Sequence, residues 1–174
     1  APAAAPSVRR RLPKRIGPYR VLGLLGSGAM SVVYEAEQER PSRRVALKVL
    51  QPALAASSAA KRLLQEAEII ARLQHVGIAQ VYGSGMTEDF GFGEMPYFAM
   101  ERIVGKTLTN YVRSHALTVE QRCELLASVC DAVHHAHERG VIHRDLKPAN
   151  VLLTRHGDEE DFVKVLDFGL VKDV

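Results

Sequence analysis

The sequence has no tryptophan, few aromatic residues (6%) and only two cysteines among its 174 residues. Cys123 and Cys130 lie seven residues apart in a helical pattern, which separates them by about 10 Å along the helix axis, too far for a disulfide. No apolar run approaches the roughly 18 residues that span a bilayer, and the first residues lack the pattern of a signal peptide. These absences exclude a disulfide-rich secreted scaffold and a membrane span within these residues, and they predict a cytoplasmic location.

Basic charge is concentrated at the N-terminus. Residues 1–20 contain six basic and no acidic residues, so of the formal net charge of +3 the rest of the chain contributes −3. An Ala-, Pro- and Arg-rich stretch is typical of a solvated linker, and we favour this interpretation over an arm that contacts nucleic acid or anionic lipid. We therefore expect a linker over residues 1–15 and no nucleic-acid partner.

The strongest chemical pattern lies near the C-terminal end of the chain. It is His143-Arg144-Asp145-Leu146-Lys147-Pro148-Ala149-Asn150, followed by Asp167-Phe168-Gly169. Asp145 can accept a proton, Lys147 supplies a cation, and the side chains of Asn150 and Asp167 offer the oxygen ligands that Mg²⁺ prefers. A base, a lysine and a sparse oxygen site together indicate transfer of a phosphoryl group to a hydroxyl, a reaction that depends mainly on positioning and charge neutralisation.

These two segments resemble the catalytic loop and the magnesium-binding triplet of serine/threonine protein kinases. Their residues are similar to those of the bacterial branch of that family. The resemblance implies an α+β protein kinase-like two-lobe fold with ATP and Mg²⁺ as cofactors. We expect a kinase domain over residues 16–174. Residues 16–102 form a complete β-rich N-lobe and hinge, and residues 103–174 form a truncated C-lobe.

A glycine-containing turn, Gly26-Ser27-Gly28, follows one strand-like stretch and precedes another. Two glycines this close let backbone amides approach a phosphate, although they also suit any tight hairpin. The flanking strands favour a kinase nucleotide flap over a dinucleotide-binding turn, which leads into a helix. The resemblance implies that Gly26, Ser27 and Gly28 bind phosphate and that Val33 packs on adenine. Ser31 stands where the family has its third glycine.

A lysine interrupts the apolar strand predicted over residues 45–50. Strand alternation places Lys48 on the same face as Ala46 and Leu50. Such a lysine either lies on an edge strand, from which its ammonium group reaches water, or is paired with another group of the protein. The resemblance implies that Lys48 holds the α- and β-phosphates of ATP and that Ala46 touches adenine.

The helix predicted over residues 58–74 carries the expected partner of that lysine. Glu66 lies beside the apolar stripe of this helix, whereas the competing Glu68 points off it. By resemblance, Glu66 forms the ion pair with Lys48 that marks an active kinase. The residues predicted to share the apolar face are Leu63, Ala67, Ile70 and Gln74.

The hinge and the floor of the adenine site are assigned by resemblance alone. Met100 occupies the gatekeeper position, and backbone groups of Glu101 and Ile103 are expected to pair with the adenine edge. Leu152, in a predicted hairpin, is the expected floor of the site.

The best helical pattern runs from Thr118 to Arg139, with a capping box formed by Thr118 and Gln121 and a terminating Gly140. We predict no metal at the three histidines near its end, because no carboxylate or cysteine completes a ligand set. The positions predicted to keep the apolar period are Leu126, Val129, Cys130, Val133, Ala136 and His137.

The resemblance assigns each catalytic role. Asp145 accepts or orients the substrate hydroxyl proton, and Lys147 stabilises the transferring phosphoryl group. Asn150 and Asp167 hold Mg²⁺. Arg144 before the aspartate is the arrangement of kinases controlled by phosphorylation. The implied partner is a protein with a serine or threonine acceptor.

The chain ends five residues after Gly169, so the resemblance covers only part of a kinase domain. We expect the full-length parent to be active, and residues 1–174 alone to bind nucleotide weakly and to phosphorylate nothing efficiently. Any membrane anchor of the parent is expected beyond residue 174.

Two alternatives compete with a protein kinase. A non-catalytic, pseudokinase-like nucleotide-binding or scaffold module is disfavoured for the parent because every expected catalytic residue is present, but it stays open for the 174-residue chain. A small-molecule kinase is disfavoured because such enzymes usually have His-Gly-Asp where this chain has His143-Arg144-Asp145.

Overall fold

The computed structural model of the chain describes residues 12–28, 31–51, 59–90, 93–157 and 159–168. Over these residues the chain forms a six-stranded sheet, a three-stranded sheet and three α-helices. The helices are α1 (Ala59–Ala71), α2 (Leu108–Ser114) and α3 (Val119–His137), and a short 3₁₀ helix covers Pro148–Asn150. The strands are β1 (Arg15–Ile16), β2 (Tyr19–Ser27), β3 (Ser31–Gln38), β4 (Arg43–Leu50), β5 (Val81–Thr87), β6 (Met95–Glu101), β7 (Gly105–Thr107), β8 (Val151–His156) and β9 (Glu159–Val165).

The large sheet has the order β1-β2-β3-β4-β6-β5, and all neighbouring strands are antiparallel. Its central strand β4 contains the predicted strand over residues 45–50, which is thereby confirmed. Successive side chains of a strand point to opposite faces, so Val45, Leu47 and Val49 enter one buried cluster. Leu50, on the other face, joins a second cluster with Phe98 of β6.

The small sheet has the order β7-β8-β9 and follows the large sheet in the chain. Val151, Leu153, Val163 and Val165 of β8 and β9 are all at most 4% exposed and belong to the same cluster as Leu50 and Phe98. A parallel bridge between Ile78 and Val165 joins β9 to the segment that enters β5. The hairpin predicted after the catalytic loop is therefore part of the main core.

Helix α1 ends earlier than predicted. It ends at Ala71, and the amide of Leu73 donates to the carbonyl of Ile70 in a tight turn. This turn directs Leu73, 2% exposed, into the core. Gln74 is exposed and lies beyond the helix, so its predicted place on the apolar face is wrong, whereas Ala67 and Ile70 are buried as predicted.

Helix α3 leads to the catalytic loop, and its start is confirmed. The side chain of Thr118 accepts from the amide of Gln121, and the side chain of Gln121 accepts from the amide of Thr118, which completes the predicted capping box. Val129 and Ala136 are buried as predicted, and Val133 packs against the same core. Ala132 is also buried, although it was not predicted. The prediction is wrong for Leu126, which is 61% exposed, and for Cys130 and His137, which are also exposed. No helix among the described residues is long and apolar enough to cross a membrane.

We expect Thr118→Ala to lower the free energy of unfolding by about 1 kcal/mol, because it leaves an amide of the first turn of α3 without its acceptor. Urea-induced unfolding measures this change. Ser128→Ala on the exposed side of the same helix is the matched control and should change stability by less than about 0.5 kcal/mol. Equal effects of the two substitutions would contradict a specific capping contribution.

Candidate active site

A cleft of about 390 Å³ lies between the large sheet and the small sheet. Three of the residues that line this cleft were not predicted from the sequence, namely Leu25, Arg102 and Leu166. The predicted nucleotide-binding residues that line this cleft are Gly26, Val33, Ala46, Lys48, Met100, Glu101, Ile103, Leu152 and Asp167. Strands from both sheets and the segment between them thus bring together residues that are far apart in the sequence.

The other two residues of the glycine-containing turn lie outside the cleft, unlike Gly26. Ser27 and Gly28 are exposed and do not line the cleft. The amide of Gly28 donates to the carbonyl of Ser31 across the hairpin, and the side chain of Gln51 donates to the carbonyl of Gly28. The phosphate-binding role of Ser27 and Gly28 stays a prediction.

Lys48 and Asp167 form an ion pair at the inner end of the cleft. Their Nζ and Oδ2 atoms are 3.0 Å apart, and the lysine side chain is only 10% exposed. A buried ammonium group needs a partner because leaving it unpaired is costly. The side chain of Glu66 lies outside the described residues, so the predicted Lys48–Glu66 pair stays a prediction. The backbone φ of Asp167 is +56°.

The loop at residues 143–150 brings two predicted side chains, those of Lys147 and Asn150, to Asp145. Lys147 donates from Nζ to Asp145 Oδ2 over 2.7 Å, and the Asn150 amide nitrogen donates to the Asp145 carbonyl over 2.9 Å. The hydrogen bond from Lys147 is the main cause of the lowered pKa of the Asp145 carboxyl group. Asp145 therefore stays ionised, as a proton acceptor requires.

A histidine that the sequence analysis gave no role connects this loop to Asp167. His143 is 2% exposed, its Nδ1 accepts from the amide of Asp145, and its Nε2 is 2.8 Å from the carbonyl of Leu166. These contacts suit a ring that accepts at Nδ1 and donates from Nε2. The ring also packs 4.6 Å from the ring of Phe168. His143 thus connects the loop at residues 143–150 to the segment at residues 166–168.

A second buried lysine lies behind the hinge segment. Lys164 is 8% exposed, and its Nζ is 2.8 Å from Oε2 of Glu101. The same carboxylate oxygen accepts from the amide of Gln80, whose carbonyl in turn accepts from the amide of Glu101. The rule that singled out Lys48, a lysine within an apolar strand, applies equally to Lys164 and predicts that it has a partner, but the rule does not identify Glu101 as that partner.

The sequence profile of the protein kinase domain matches residues 19–174. The chain belongs to the protein kinase family. This match, together with the bacterial relatives and the solved kinase domain described next, confirms the predicted α+β kinase-like fold and the resemblance to bacterial serine/threonine kinases.

This kinase chain is similar to bacterial relatives and to a solved kinase domain. It is 40% identical over 164 residues to a probable serine/threonine-protein kinase, SCO3848, of Streptomyces coelicolor, a match that covers 92% of this chain and 24% of the relative. It is 38% identical over 156 residues to the serine/threonine-protein kinase PknB of Mycobacterium leprae, covering 88% of this chain and 24% of that protein. The crystal structure of the PknI kinase domain of Mycobacterium tuberculosis matches with a TM-score of 0.73 and 34% identity, over 91% of this chain and 62% of that one. The kinase chain therefore spans about a quarter of the length of these curated relatives.

In this kinase chain, Glu101→Ala should lower the free energy of unfolding by about 2–3 kcal/mol, because it leaves the Lys164 ammonium buried without its partner. Urea-induced unfolding measures the loss. The double variant Glu101→Leu/Lys164→Met removes both charges and should be more stable than Glu101→Ala. Glu39→Ala, which removes one member of the exposed Arg15–Glu39 pair, is the matched control and should cost less than about 1 kcal/mol. A double variant no more stable than Glu101→Ala would contradict the buried-charge explanation.

Proposed function

We propose that this kinase domain, in its full-length protein, transfers the γ-phosphoryl group of ATP to serine or threonine hydroxyls of protein substrates. The single observation that supports this most strongly is the ion pair between Lys48 and Asp167 over 3.0 Å at the inner end of the cleft. Two oppositely charged groups at one end of a largely apolar cleft suit a ligand with an apolar base and a metal-bound polyphosphate. The names of the curated relatives, which are serine/threonine-protein kinases, support the same class of substrate.

The donor set of the site fits Mg²⁺. Asn150 and Asp167 offer one amide oxygen and one carboxylate, and Mg²⁺ usually takes few protein ligands and completes its shell with water and phosphate oxygens. The Asn150 amide nitrogen donates to Asp145, so the oxygen of the same amide is the group left to bind a cation. When bound, Mg²⁺ neutralises phosphate charge. Asn150 and Asp167 would hold it.

The remaining residues position the reactants. Lys48 would bind the α- and β-phosphates, with Glu66 as its expected partner. Asp145 would accept or orient the proton of the substrate hydroxyl, and Lys147, 2.7 Å from that carboxylate, would stabilise the transferring phosphoryl group. Val33, Ala46 and Leu152 would enclose the adenine, Met100 would lie behind it, and backbone groups of Glu101 and Ile103 would pair with its edge.

The experiment that tests the proposal is phosphoryl transfer by the full-length protein from labelled ATP to a protein mixture, followed by phosphoamino acid analysis. We expect phosphoserine or phosphothreonine, with none formed by the Asp145→Asn variant. Transfer to choline or an aminoglycoside but not to protein would overturn the choice of substrate. Mg-ATP that raises the melting temperature without any transfer would instead support a non-catalytic module.

Lys147→Met should shift the acidic limb of the pH–rate profile of phosphoryl transfer to higher pH. The ionised form of Asp145 is the active one, and the hydrogen bond from Lys147 lowers its pKa. Removing that bond raises the pKa, so activity is lost at a higher pH during acidification. The pH–rate profile measures this shift, independently of the lower rate expected at every pH. Lys106→Met, an exposed lysine outside the cleft, is the control, and an unmoved acid limb in Lys147→Met would contradict the assignment.

A further inference from the structure

The C-terminal end of α1 has backbone carbonyl groups that the helix itself does not satisfy. The amides of Arg72 and Leu73 donate to the carbonyls of Ile69 and Ile70 in the turn that closes the helix. The last turn contains no basic side chain that could bond to the remaining carbonyls. Such end groups take their partners from outside the helix. The carbonyl of Ala71, the last residue of α1, therefore needs a donor from another part of the chain.

The side chain of Gln80 supplies this donor. Its Nε2 atom donates to the carbonyl of Ala71 over 2.9 Å and to the carbonyl of Val81 over 3.1 Å. A side-chain amide carries two hydrogens on its nitrogen and none on its oxygen, so two carbonyl neighbours require the nitrogen at this place. Both donors of the Gln80 side chain are thus used, and one of them bonds to the end of α1.

The backbone of Gln80 is bonded to the hinge segment. Its carbonyl accepts from the amide of Glu101 over 2.8 Å, and its amide donates to Oε2 of Glu101 over 3.2 Å. The same Oε2 accepts from Nζ of Lys164 on β9 over 2.8 Å. The preceding residue is held as well, because the amide of Ala79 donates to the carbonyl of Val165 over 2.9 Å. The backbone that carries the Gln80 side chain is therefore held by both the hinge and β9.

Packing and this hydrogen bond act differently on α1. Ala67 and Ile70 are buried in the main core, and Leu64 packs against it. Burial of apolar side chains is non-directional, so it holds the helix on the core without fixing its end. A hydrogen bond requires a defined distance and angle, and the bond from Gln80 therefore fixes the end of α1 relative to the hinge.

We propose that Gln80 is a positioning residue that holds the end of α1 at the hinge and thereby sets the place of Glu66, on the same helix, relative to Lys48. The consequence for Mg-ATP rests on the proposed function, in which Glu66 is the expected partner of Lys48 and Lys48 binds phosphates. The attachment of α1 to the hinge does not rest on it.

The test compares the full-length protein with its Gln80→Met variant by amide hydrogen exchange of peptides that cover residues 66–73. Methionine has nearly the length of glutamine but no hydrogen-bond donor, so the carbonyl of Ala71 loses its partner. We expect the protection of these peptides to fall about fivefold, as for the loss of one hydrogen bond. Peptides that cover α3 should keep their protection. Unchanged protection of residues 66–73 would overturn the proposal.

Two further variants show whether the donor itself matters. Gln80→Glu keeps the length and shape of the side chain but replaces the donor nitrogen by an oxygen, so it should lose at least as much protection as Gln80→Met. Wild-type protection in Gln80→Glu would overturn the role of Nε2. Gln38→Met is the matched control, because Nε2 of Gln38 also donates to a backbone carbonyl, that of Arg40, over 3.0 Å, but in the turn between β3 and β4. It should keep wild-type protection at residues 66–73.

Affinities for adenosine and Mg-ATP separate a positioning role from a general loss of stability. Adenosine has no phosphates for Lys48 to bind, so Gln80→Met should bind adenosine as the wild type does and Mg-ATP about fivefold more weakly. An unchanged affinity for Mg-ATP, or an equal loss for the two ligands, would overturn the positioning role. If the wild type binds neither ligand, the proposed function fails, while hydrogen exchange still decides whether Gln80 holds the end of α1.

Discussion

Asp145→Asn should lower the rate of phosphoryl transfer by the full-length protein by about 10²–10⁴-fold, the usual contribution of a positioned base. The side chain is exposed, and its carboxylate accepts from Lys147 and Asn150. Asparagine keeps the size of the side chain and one oxygen acceptor but removes the negative charge. Nucleotide affinity and the melting temperature should therefore change little while the rate falls, and single-turnover transfer to a serine or threonine substrate measures that rate.

The matched control for this substitution is Asp161→Asn. Asp161 is an exposed aspartate on β9 that does not line the nucleotide cleft, so this variant should transfer phosphate at nearly the wild-type rate. A rate in Asp145→Asn within tenfold of wild type, with Mg-ATP binding intact, would contradict the assignment of Asp145 as the base.

Lys48→Met should lower transfer by about 10²–10³-fold, as expected when one preorganised electrostatic contact is removed, and it should also weaken Mg-ATP binding. Methionine preserves most of the length of the side chain within β4 but leaves the Asp167 carboxylate without its 3.0 Å partner. The unpaired carboxylate then adds repulsion toward a triphosphate. Isothermal titration measures binding, and the same single-turnover assay measures transfer.

A comparison of ATP with adenosine locates the effect of this substitution. Adenosine has no phosphates, so its affinity should be nearly equal in the wild type and in Lys48→Met, whereas the affinity for Mg-ATP should differ. Lys106→Met, which replaces an exposed lysine, is the control and should match the wild type for both ligands. An equal loss for adenosine and Mg-ATP would indicate a general defect of the cleft rather than a lost phosphate contact.

The residues predicted best from the sequence are those with fixed spacing along the chain. Asp145, Lys147 and Asn150 lie within six residues, and the loop they form closes through its own hydrogen bonds. Lys48 and Asp167 were predicted from separate motifs, and the fold places them in contact. A family pattern contains such long-range information, whereas strand alternation alone gave only the face on which Lys48 lies.

Contacts between distant elements were not predictable in this way. The pair of Lys164 and Glu101 depends on how β9 packs behind β6, and the contact of His75 with Asp131 depends on the packing of α3. Leu126 is a further example. The helical pattern predicted that this apolar side chain is buried, but burial depends on which element packs against that face of the helix, and the pattern does not contain this information. Backbone packing decided these cases, and no local pattern encodes it.

Two non-glycine residues of the candidate active site, Arg144 and Asp167, have left-handed backbones with φ of +62° and +56°. An L-residue pays roughly 1 kcal/mol for such a conformation, and glycine would be relieved of this steric penalty. Glycine at Asp167 would relieve this penalty but would leave the buried Lys48 ammonium without its partner, and that loss exceeds the steric gain. Consensus or stability-guided redesign of this domain should accordingly leave both positions unchanged, since the substitution that most relaxes the chain at Asp167 is also the one that removes its chemistry.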